Sequence, residues 1–332
     1  MRLSYRKVIE IAIPLVISLS LSVVVAAQAR RIASADSDNA KAFRSFVAGL
    51  EEYKELRQEW RTRVLSNYLA GTLLRLVGVV ARVSAEDAPT GRTASIWAAG
   101  WLMLVFSLYV AYFRQGSLLY ILGTFCALSF AFTPGIGSTR VYPWDLPALF
   151  WYAVAVILLK SKRMLLLASL VPIGVLFKET ALLIPVVFLF WEDVPWRRRL
   201  VLCTLSLSAG LAVKGIADLV TGSPIPLLTM TLSDPLKEPR LLRNLQLLFE
   251  LRIDHPVFAN SGLIAVLLLL PCSDRRILGW KVLAVLFIVG NMLFGVINEY
   301  RIWLELVPPS LHAIDLHICS VLASKPAALP PP

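Results

Sequence analysis

The chain has 332 residues, 57% of them apolar, and a mean hydropathy of +0.70. Soluble domains contain about 45–50% apolar residues, so this composition excludes an ordinary water-soluble domain and predicts an all-α, polytopic bundle of transmembrane helices. The net charge of +11 lies largely in short basic clusters beside apolar runs, as the positive-inside rule expects, and this pattern argues against nucleic-acid binding.

The first predicted span is Val8–Ala27, an apolar run that follows Arg2, Arg6 and Lys7. A membrane crossing needs about 20 residues, whereas the apolar part of a cleaved signal has about 7–15. We therefore expect a retained first helix whose N-terminus lies in the cytoplasm.

A long loop, residues 28–94, follows and is predicted to lie on the outer face. Between Phe43 and Trp60, apolar residues recur at spacings of three and four, which predicts an amphipathic helix lying on the bilayer. The stretch Val64–Val83 is long enough to span the membrane, but a crossing there would put the later basic clusters on the wrong side. It is therefore predicted to be an interfacial or re-entrant helix.

Nine further spans fit between the basic clusters, which are assigned to the cytoplasm. Together with the first span they give ten crossings of the inner (plasma) membrane, with both termini cytoplasmic. The chain is then one integral membrane domain with a second outer loop, 221–256, and a Pro-rich, disordered tail, 323–332. The nine spans are Ser95–Tyr112, Leu118–Phe132, Leu146–Leu159, Met164–Phe177, Ala181–Trp191, Leu200–Val220, Val257–Pro271, Ile277–Ile297 and Ile302–Leu322.

Two of these regions are irregular. The stretch Met164–Trp191 is short for two crossings, so it is predicted to be a hairpin of short helices whose apex is Lys178-Glu179-Thr180. The last span is the weakest, because prolines and ionisable residues interrupt it. The interrupting residues are Pro308, Pro309, His312 and Asp315.

This topology collects ionisable side chains from five parts of the sequence on the outer face. Such groups are costly at membrane depth and by default mark a functional cavity. Acids beside bases suit a phosphate-bearing substrate, because cations neutralise the phosphate while a carboxylate accepts a proton. The residues are Asp36, Asp38, Arg61, Arg63, Asp145, Lys178, Glu179, Glu299 and Arg301.

Each of these residues also has a purely structural interpretation, which the sequence leaves open. Asp36 or Asp38 is placed to cap the amphipathic helix, and Asp145 is placed to cap the span that follows it. Arg61 and Arg63 are placed to meet lipid headgroups.

The remaining four residues can be interpreted as neutral pairs. Lys178 and Glu179 are adjacent at the hairpin apex and would neutralise each other. The same interpretation applies to Glu299 and Arg301. The collective case for a site is therefore stronger than the case for any one of its members.

Three motifs resemble the C-fold (GT-C) class of polytopic membrane glycosyltransferases, which use polyprenyl-phosphate-linked sugars. The first is one span followed by a long outer loop with an early acid, SADSDNAKAF, and later basic residues, EWRTRVLSNYLAGTLLRLVG. The second, STRVYPWDLPALFWYAVAVILL, is similar to the pattern in which an Arg and an Asp-bearing turn open an inward-running span. The third, LFKETALLIPVVFLFW, is similar to the Lys/Arg-Glu-Thr apex of these proteins, and NEYRIWLELVPP resembles the start of a late span.

The resemblance implies a catalytic acid in the first outer loop, a second outer acid and basic contacts to the donor phosphate. Some members of the class bind a divalent metal ion between such acids. The predicted catalytic residues are Asp38, Asp36 and Asp145; Arg61, Arg63, Lys178 and Arg301 are predicted to bind phosphate; Glu179 and Glu299 support them; and Asp38 and Asp145 are the candidate metal ligands.

The predicted function is therefore a membrane glycosyltransferase that moves a sugar from a polyprenyl-phosphate donor to an acceptor on the outer face. Its expected partners are the polyprenyl-phosphate lipid and membrane lipids. The alternative is a transporter or flippase for a lipid-linked or anionic solute, which would use the same charges for binding alone. No inverted repeat or pair of broken helices is visible in the sequence to favour the transporter.

Overall fold

A computed structural model of the chain describes residues 5–35, 43, 63–83, 90–113, 116–132, 142–221, 242, 244–246, 256–294 and 300–323. All regular elements within these ranges are helical. The α-helices are α1 (Tyr5–Ala35), α2 (Val64–Ala81), α3 (Thr90–Tyr112), α4 (Ser117–Phe132), α5 (Asp145–Lys160), α6 (Met164–Phe177), α7 (Ile184–Val187), α8 (Trp196–Val220), α9 (Pro256–Leu269), α10 (Arg275–Phe294) and α11 (Val307–Ala323). Short 3-10 helices cover Glu179–Leu183, Phe188–Phe190 and Tyr300–Leu306.

Six helical segments in the described part are long and apolar enough to cross a membrane, and three apolar helices are shorter. Many large apolar side chains on these helices face outward, including Val16, Val80 and Leu219, which are 64%, 77% and 75% exposed. Outward-facing apolar surface of this kind is stable in lipid and unfavourable in water. These observations confirm an all-α helical membrane protein. The finer expectation of ten crossings stays a prediction. The six long segments are Glu10–Ala33, Val64–Ala81, Thr90–Tyr112, Trp196–Val220, Arg275–Leu293 and Trp303–Ala323, and the three shorter ones are Ser117–Ser129, Met164–Phe177 and Glu179–Phe190.

The helix α5 lies at the centre of the bundle. Nearly all its side chains are buried, and it packs against α3, α6, α11 and the 3-10 helix Tyr300–Leu306. Around it, α1 packs along α3, and α6 packs along α8. Because α5 begins at Asp145 and ends at Lys160, these two residues mark the two ends of the bundle, here named the Asp145 end and the Lys160 end.

The Lys160 end gathers charges from several parts of the sequence. Lys160 pairs with Asp315 at 3.3 Å, and its ammonium group lies 4.5 Å from the ring centroid of Phe113. Lys162 pairs with Asp193 at 3.1 Å. Further contacts at this end are the ion pair Arg275–Glu192 and the hydrogen bond from Arg199 to the carbonyl of Leu189. Three of the basic clusters assigned to the cytoplasm, at residues 160–163, 197–199 and 275–276, therefore lie at the same end of the bundle.

The last predicted span is helical despite its interruptions. Pro308 and Pro309 fall in the first turn of α11, where a missing backbone N–H breaks no helical hydrogen bond. His312 is buried and accepts a hydrogen bond from the indole N–H of Trp280 at 3.2 Å. Asp315 has its partner in Lys160. Each interrupting residue is thus accommodated by the fold.

The helix α2 agrees with the apolar stretch predicted at Val64–Val83. Its first turns contact the Asp145 end, where the hydroxyl of Ser66 donates to the carbonyl of Phe177 at 3.2 Å. Ala70 packs in a small cluster with Ala94 and Trp97 near the start of α3. These contacts agree with a helix lying across one end of the bundle, whereas its length would also allow a crossing. The interfacial placement stays a prediction.

Candidate functional site

The predicted hairpin apex, Lys178-Glu179-Thr180, is the centre of the site. Helix α6 ends at Phe177, and Lys178 takes an extended backbone conformation with φ −161° and ψ 134° before the 3-10 helix begins at Glu179. In an extended backbone, successive side chains point in opposite directions. As a result, Lys178 turns into the bundle and Glu179 turns toward the start of α2.

At the edge of the site, Arg63 and Glu179 form a bidentate ion pair. The Nε atom of Arg63 donates to Oε2 of Glu179 at 3.0 Å, and Nη2 donates to Oε1 at 2.6 Å. The guanidinium also lies 4.5 Å from the ring centroid of Trp144. The side chain of Glu179 is 34% exposed and that of Arg63 is 11% exposed, so this pair is the most exposed part of the described site.

Behind this pair lies a fully buried triad of Lys178, Asp145 and Glu305. The ammonium of Lys178 forms an ion pair with Glu305 and lies 3.9 Å from Oδ1 of Asp145. The lysine side chain is 7% exposed, and both carboxylates are at 0%. The hydroxyl of Thr180 also donates to Glu305, and Tyr152 donates to the carbonyl of Thr180 at 2.8 Å. These contacts join the apex to the last third of the chain.

A tight turn before α5 holds Asp145 in place. Oδ2 of Asp145 accepts the backbone N–H of Tyr142 at 3.0 Å, and the rings of Tyr142 and Trp144 stack with centroids 4.8 Å apart. The indole N–H of Trp97 donates to the carbonyl of Pro143 at 3.0 Å, which ties the turn to α3. The carboxylate of Asp145 therefore fixes the turn and faces Lys178 from the same position.

The described part of the site has an excess of negative charge. Two cations, Arg63 and Lys178, face the three carboxylates of Asp145, Glu179 and Glu305, so the formal charge is −1. A buried ion pair stabilises little by itself, but removing one partner leaves a costly uncompensated charge. An anion that binds among these five described side chains would thus meet more carboxylates than cations.

The structure brings together four of the predicted site residues, namely Arg63, Asp145, Lys178 and Glu179. Arg301 lies in the 3-10 helix that carries Glu305. Four other predicted residues lie outside the described residues, and their roles stay predictions. These are Asp36, Asp38, Arg61 and Glu299.

The interpretation of the apex as a neutral pair needs correction. Lys178 and Glu179 do not form a mutually neutralising pair, because each has a partner from a distant segment. The physical reason is the extended backbone at Lys178, which points the adjacent side chains in different directions. Lys178 itself is buried between Asp145 and Glu305, and its predicted contact with phosphate stays a prediction.

Sequence reasoning missed Glu305. It is one acid in the apolar run WLELVPP and was not singled out within the stretch NEYRIWLELVPP, yet it is completely buried and contacts both Lys178 and Thr180. The feature that would have identified it is a single acid inside an apolar span, because a carboxylate there needs a cation or a hydrogen-bond donor as a partner.

The candidate metal ligand Asp145 faces positive partners within the described residues. In this part of the chain, no group of three or more His, Cys, Asp or Glu side chains could hold a metal ion. Oδ1 of Asp145 faces the ammonium of Lys178, and Oδ2 accepts a backbone N–H, so both oxygens already face positive partners. A contribution from Asp38 stays a prediction, since that residue is outside the described ranges.

The fold and this site define a helical membrane protein with a buried network of ion pairs at one end of its bundle. No protein-family model matches the chain, and neither a curated protein nor a solved structure matches it significantly.

Proposed function

We propose that the chain is a membrane glycosyltransferase that takes a sugar from a polyprenyl-phosphate donor. The observation that carries this proposal is the partly exposed, bidentate Arg63–Glu179 pair, which lies in front of the buried Lys178 triad at one end of an apolar bundle. Ionisable groups in a membrane protein are retained at a cost, and by default they mark a functional site. The glycosyltransferase assignment itself rests on the motif resemblance.

The chemistry of Arg63 suits a lipid phosphate. A guanidinium binds carboxylate and phosphate with the same two-pronged geometry, so the contact now made with Glu179 is a template for a phosphate contact. The site also lies at an end of the bundle, the depth at which a lipid anchored in the bilayer presents its phosphate. Sugar transfer changes no oxidation state, so the reaction requires no oxidant or reductant.

In the proposed reaction, an acceptor hydroxyl attacks the anomeric carbon of the donor sugar. The bond between that carbon and the phosphate oxygen breaks, and its electron pair leaves with polyprenyl phosphate. A carboxylate accepts the hydroxyl proton, and Arg63 stabilises the leaving phosphate. Asp38 or Asp36 is the base predicted from the sequence, and the described carboxylates Asp145 and Glu305 hold Lys178 behind the reacting groups.

The proposal places the Asp145 end on the outer face, in accord with the positive-inside rule. Single cysteines at Asp38 and at Lys162, introduced into a variant lacking the native cysteines, test the sidedness. An impermeant maleimide added to intact cells should label the cysteine at position 38 and leave that at position 162 unlabelled until the membrane is opened. The reverse pattern would reject the orientation.

Transfer itself is tested with the full chain reconstituted in liposomes and supplied with radiolabelled polyprenyl-phosphate sugars, with and without divalent cations. The expected result is release of polyprenyl phosphate, which Arg63→Ala abolishes. Lys162→Ala is the control, because Lys162 forms an exposed ion pair at the opposite end. Movement of intact labelled lipid between leaflets without phosphate release would instead support the transporter. Absence of donor binding would reject both.

A further inference from the structure

We propose that Arg63 and Glu179 form a substrate-operated pair, in which the donor phosphate displaces Glu179 from Arg63 and the released carboxylate becomes the general base. This inference rests on the proposed function and names Glu179 as its general base, in place of the Asp38 or Asp36 predicted from the sequence. It assigns to Glu179 a role that changes with the state of the site, because the carboxylate is neutralised before the donor binds and available afterwards.

The position and geometry of the pair favour such an exchange. Glu179 is 34% exposed and contacts Arg63 through both oxygens, so an incoming phosphate meets the same two donor atoms that the carboxylate now occupies. The described site already carries a formal charge of −1, with three carboxylates facing two cations. Adding a phosphate beside all three carboxylates would increase the repulsion, whereas replacing Glu179 at Arg63 limits it.

Arg63 is held in place independently of Glu179. Its guanidinium lies over the ring of Trp144 at 4.5 Å, and cation–π contacts of this kind hold a guanidinium without using its hydrogen bonds. Three residues further on, Ser66 donates to the carbonyl of Phe177 at 3.2 Å and fixes the start of α2 against the apex. Arg63 can therefore change its partner without losing its position.

The neighbouring Lys178 does not take over the released carboxylate. Its ammonium is buried against Glu305, with Asp145 at 3.9 Å, and the side chain is 7% exposed. Thr180, on the other side of Glu179, is held by Glu305 through its hydroxyl. Both neighbours of Glu179 in sequence are thus anchored to the late 3-10 helix, and the movement is confined to the Glu179 side chain.

Release from Arg63 raises the affinity of the Glu179 carboxylate for a proton, as a general base requires. In the pair, both carboxylate oxygens accept hydrogen bonds from Arg63, and the positive charge lowers their affinity for a proton. Once Arg63 holds the phosphate, one oxygen of Glu179 can accept the proton from the acceptor hydroxyl as the new glycosidic bond forms. The bond to the phosphate breaks, polyprenyl phosphate leaves on Arg63, and Glu179 later returns its proton to water.

The test separates phosphate binding from transfer in the reconstituted full chain. The probe for binding is a short-chain polyprenyl phosphate without sugar, measured by isothermal titration. Glu179→Gln should bind this probe about tenfold more tightly than the wild type, because the carboxylate that competes for Arg63 is gone. The same variant should lose sugar transfer, while Glu179→Asp should recover part of it because a carboxylate is retained.

Two controls define the result. Arg63→Gln should lose binding of the probe, and Asp193→Asn should change neither binding nor transfer, since Asp193 belongs to an exposed ion pair at the Lys160 end. Full transfer by Glu179→Gln, or probe binding that is unchanged or weaker in this variant, would overturn the inference. If the wild type transferred no sugar, the proposed function and the role of Glu179 as base would fail, and the binding comparison would still decide whether phosphate displaces Glu179.

Discussion

Replacing Lys178 with methionine tests whether the buried triad holds the site together. Methionine keeps most of the length of the side chain but removes the only cation that contacts both Asp145 and Glu305 in the described site. Both carboxylates would then remain fully buried after losing this ammonium group. We therefore expect a folded but strongly destabilised protein.

The magnitude follows from the burial of the three groups. Removing one partner of a buried ion pair costs about 3–5 kcal/mol, because the other charge is left uncompensated. Glu305→Gln should cost less, about 1–3 kcal/mol, since Lys178 keeps Asp145 and the amide keeps a hydrogen-bonding side chain. In the double variant, position 305 is an uncharged glutamine, so removing the Lys178 ammonium leaves no buried charge there. The double variant should thus be more stable than the sum of the single changes predicts, with a coupling energy of about 2 kcal/mol.

The measurement is equilibrium unfolding of the four proteins in mixed detergent micelles, followed by tryptophan fluorescence and helix content. The matched control is Lys162→Met, which breaks an ion pair whose lysine is 71% exposed. An exposed pair of this kind contributes less than about 1 kcal/mol. Equal costs for Lys178→Met and Lys162→Met, or strictly additive effects in the double variant, would refute the assignment of Lys178 to a buried triad.

Two further predictions concern packing and the turn. Gly279→Ala should cost about 1–3 kcal/mol of unfolding free energy, because an added Cβ would lie 2.9 Å from Cβ of Phe190. Gly290→Ala on the same helix has no neighbour within 4 Å and should be neutral or stabilising, so equal destabilisation of both would contradict the packing. Trp97→Phe removes the 3.0 Å hydrogen bond to the carbonyl of Pro143 and should cost about 1 kcal/mol. The rate of sugar transfer from the donor should also fall in this variant. An unchanged rate would show that this hydrogen bond does not position the turn.

The sequence predicted the parts of the fold that depend on local composition. Apolar runs of membrane-spanning length indicated a helical membrane protein, because backbone groups in lipid must satisfy their hydrogen bonds within the helix. The break at Lys178-Glu179-Thr180 was predicted as a hairpin apex, and helix α6 does end at Phe177. Helix boundaries were less accurate: α1 runs from Tyr5 to Ala35, beyond the predicted Val8–Ala27, since residues 28–35 contain no glycine or proline that would end the helix.

The partners of the charged residues were decided by the tertiary structure. Adjacent Lys178 and Glu179 look like a pair in the sequence, but the extended backbone at Lys178 sends them to different partners. Glu305 is more than a hundred residues from Lys178 in the chain, so no local pattern connects the two. Composition and periodicity determined that this chain forms apolar helices with charges at the breaks between them. Which charges meet depends on how the helices pack, because a buried charge is stable only where the fold brings it an opposite charge or a hydrogen-bond donor.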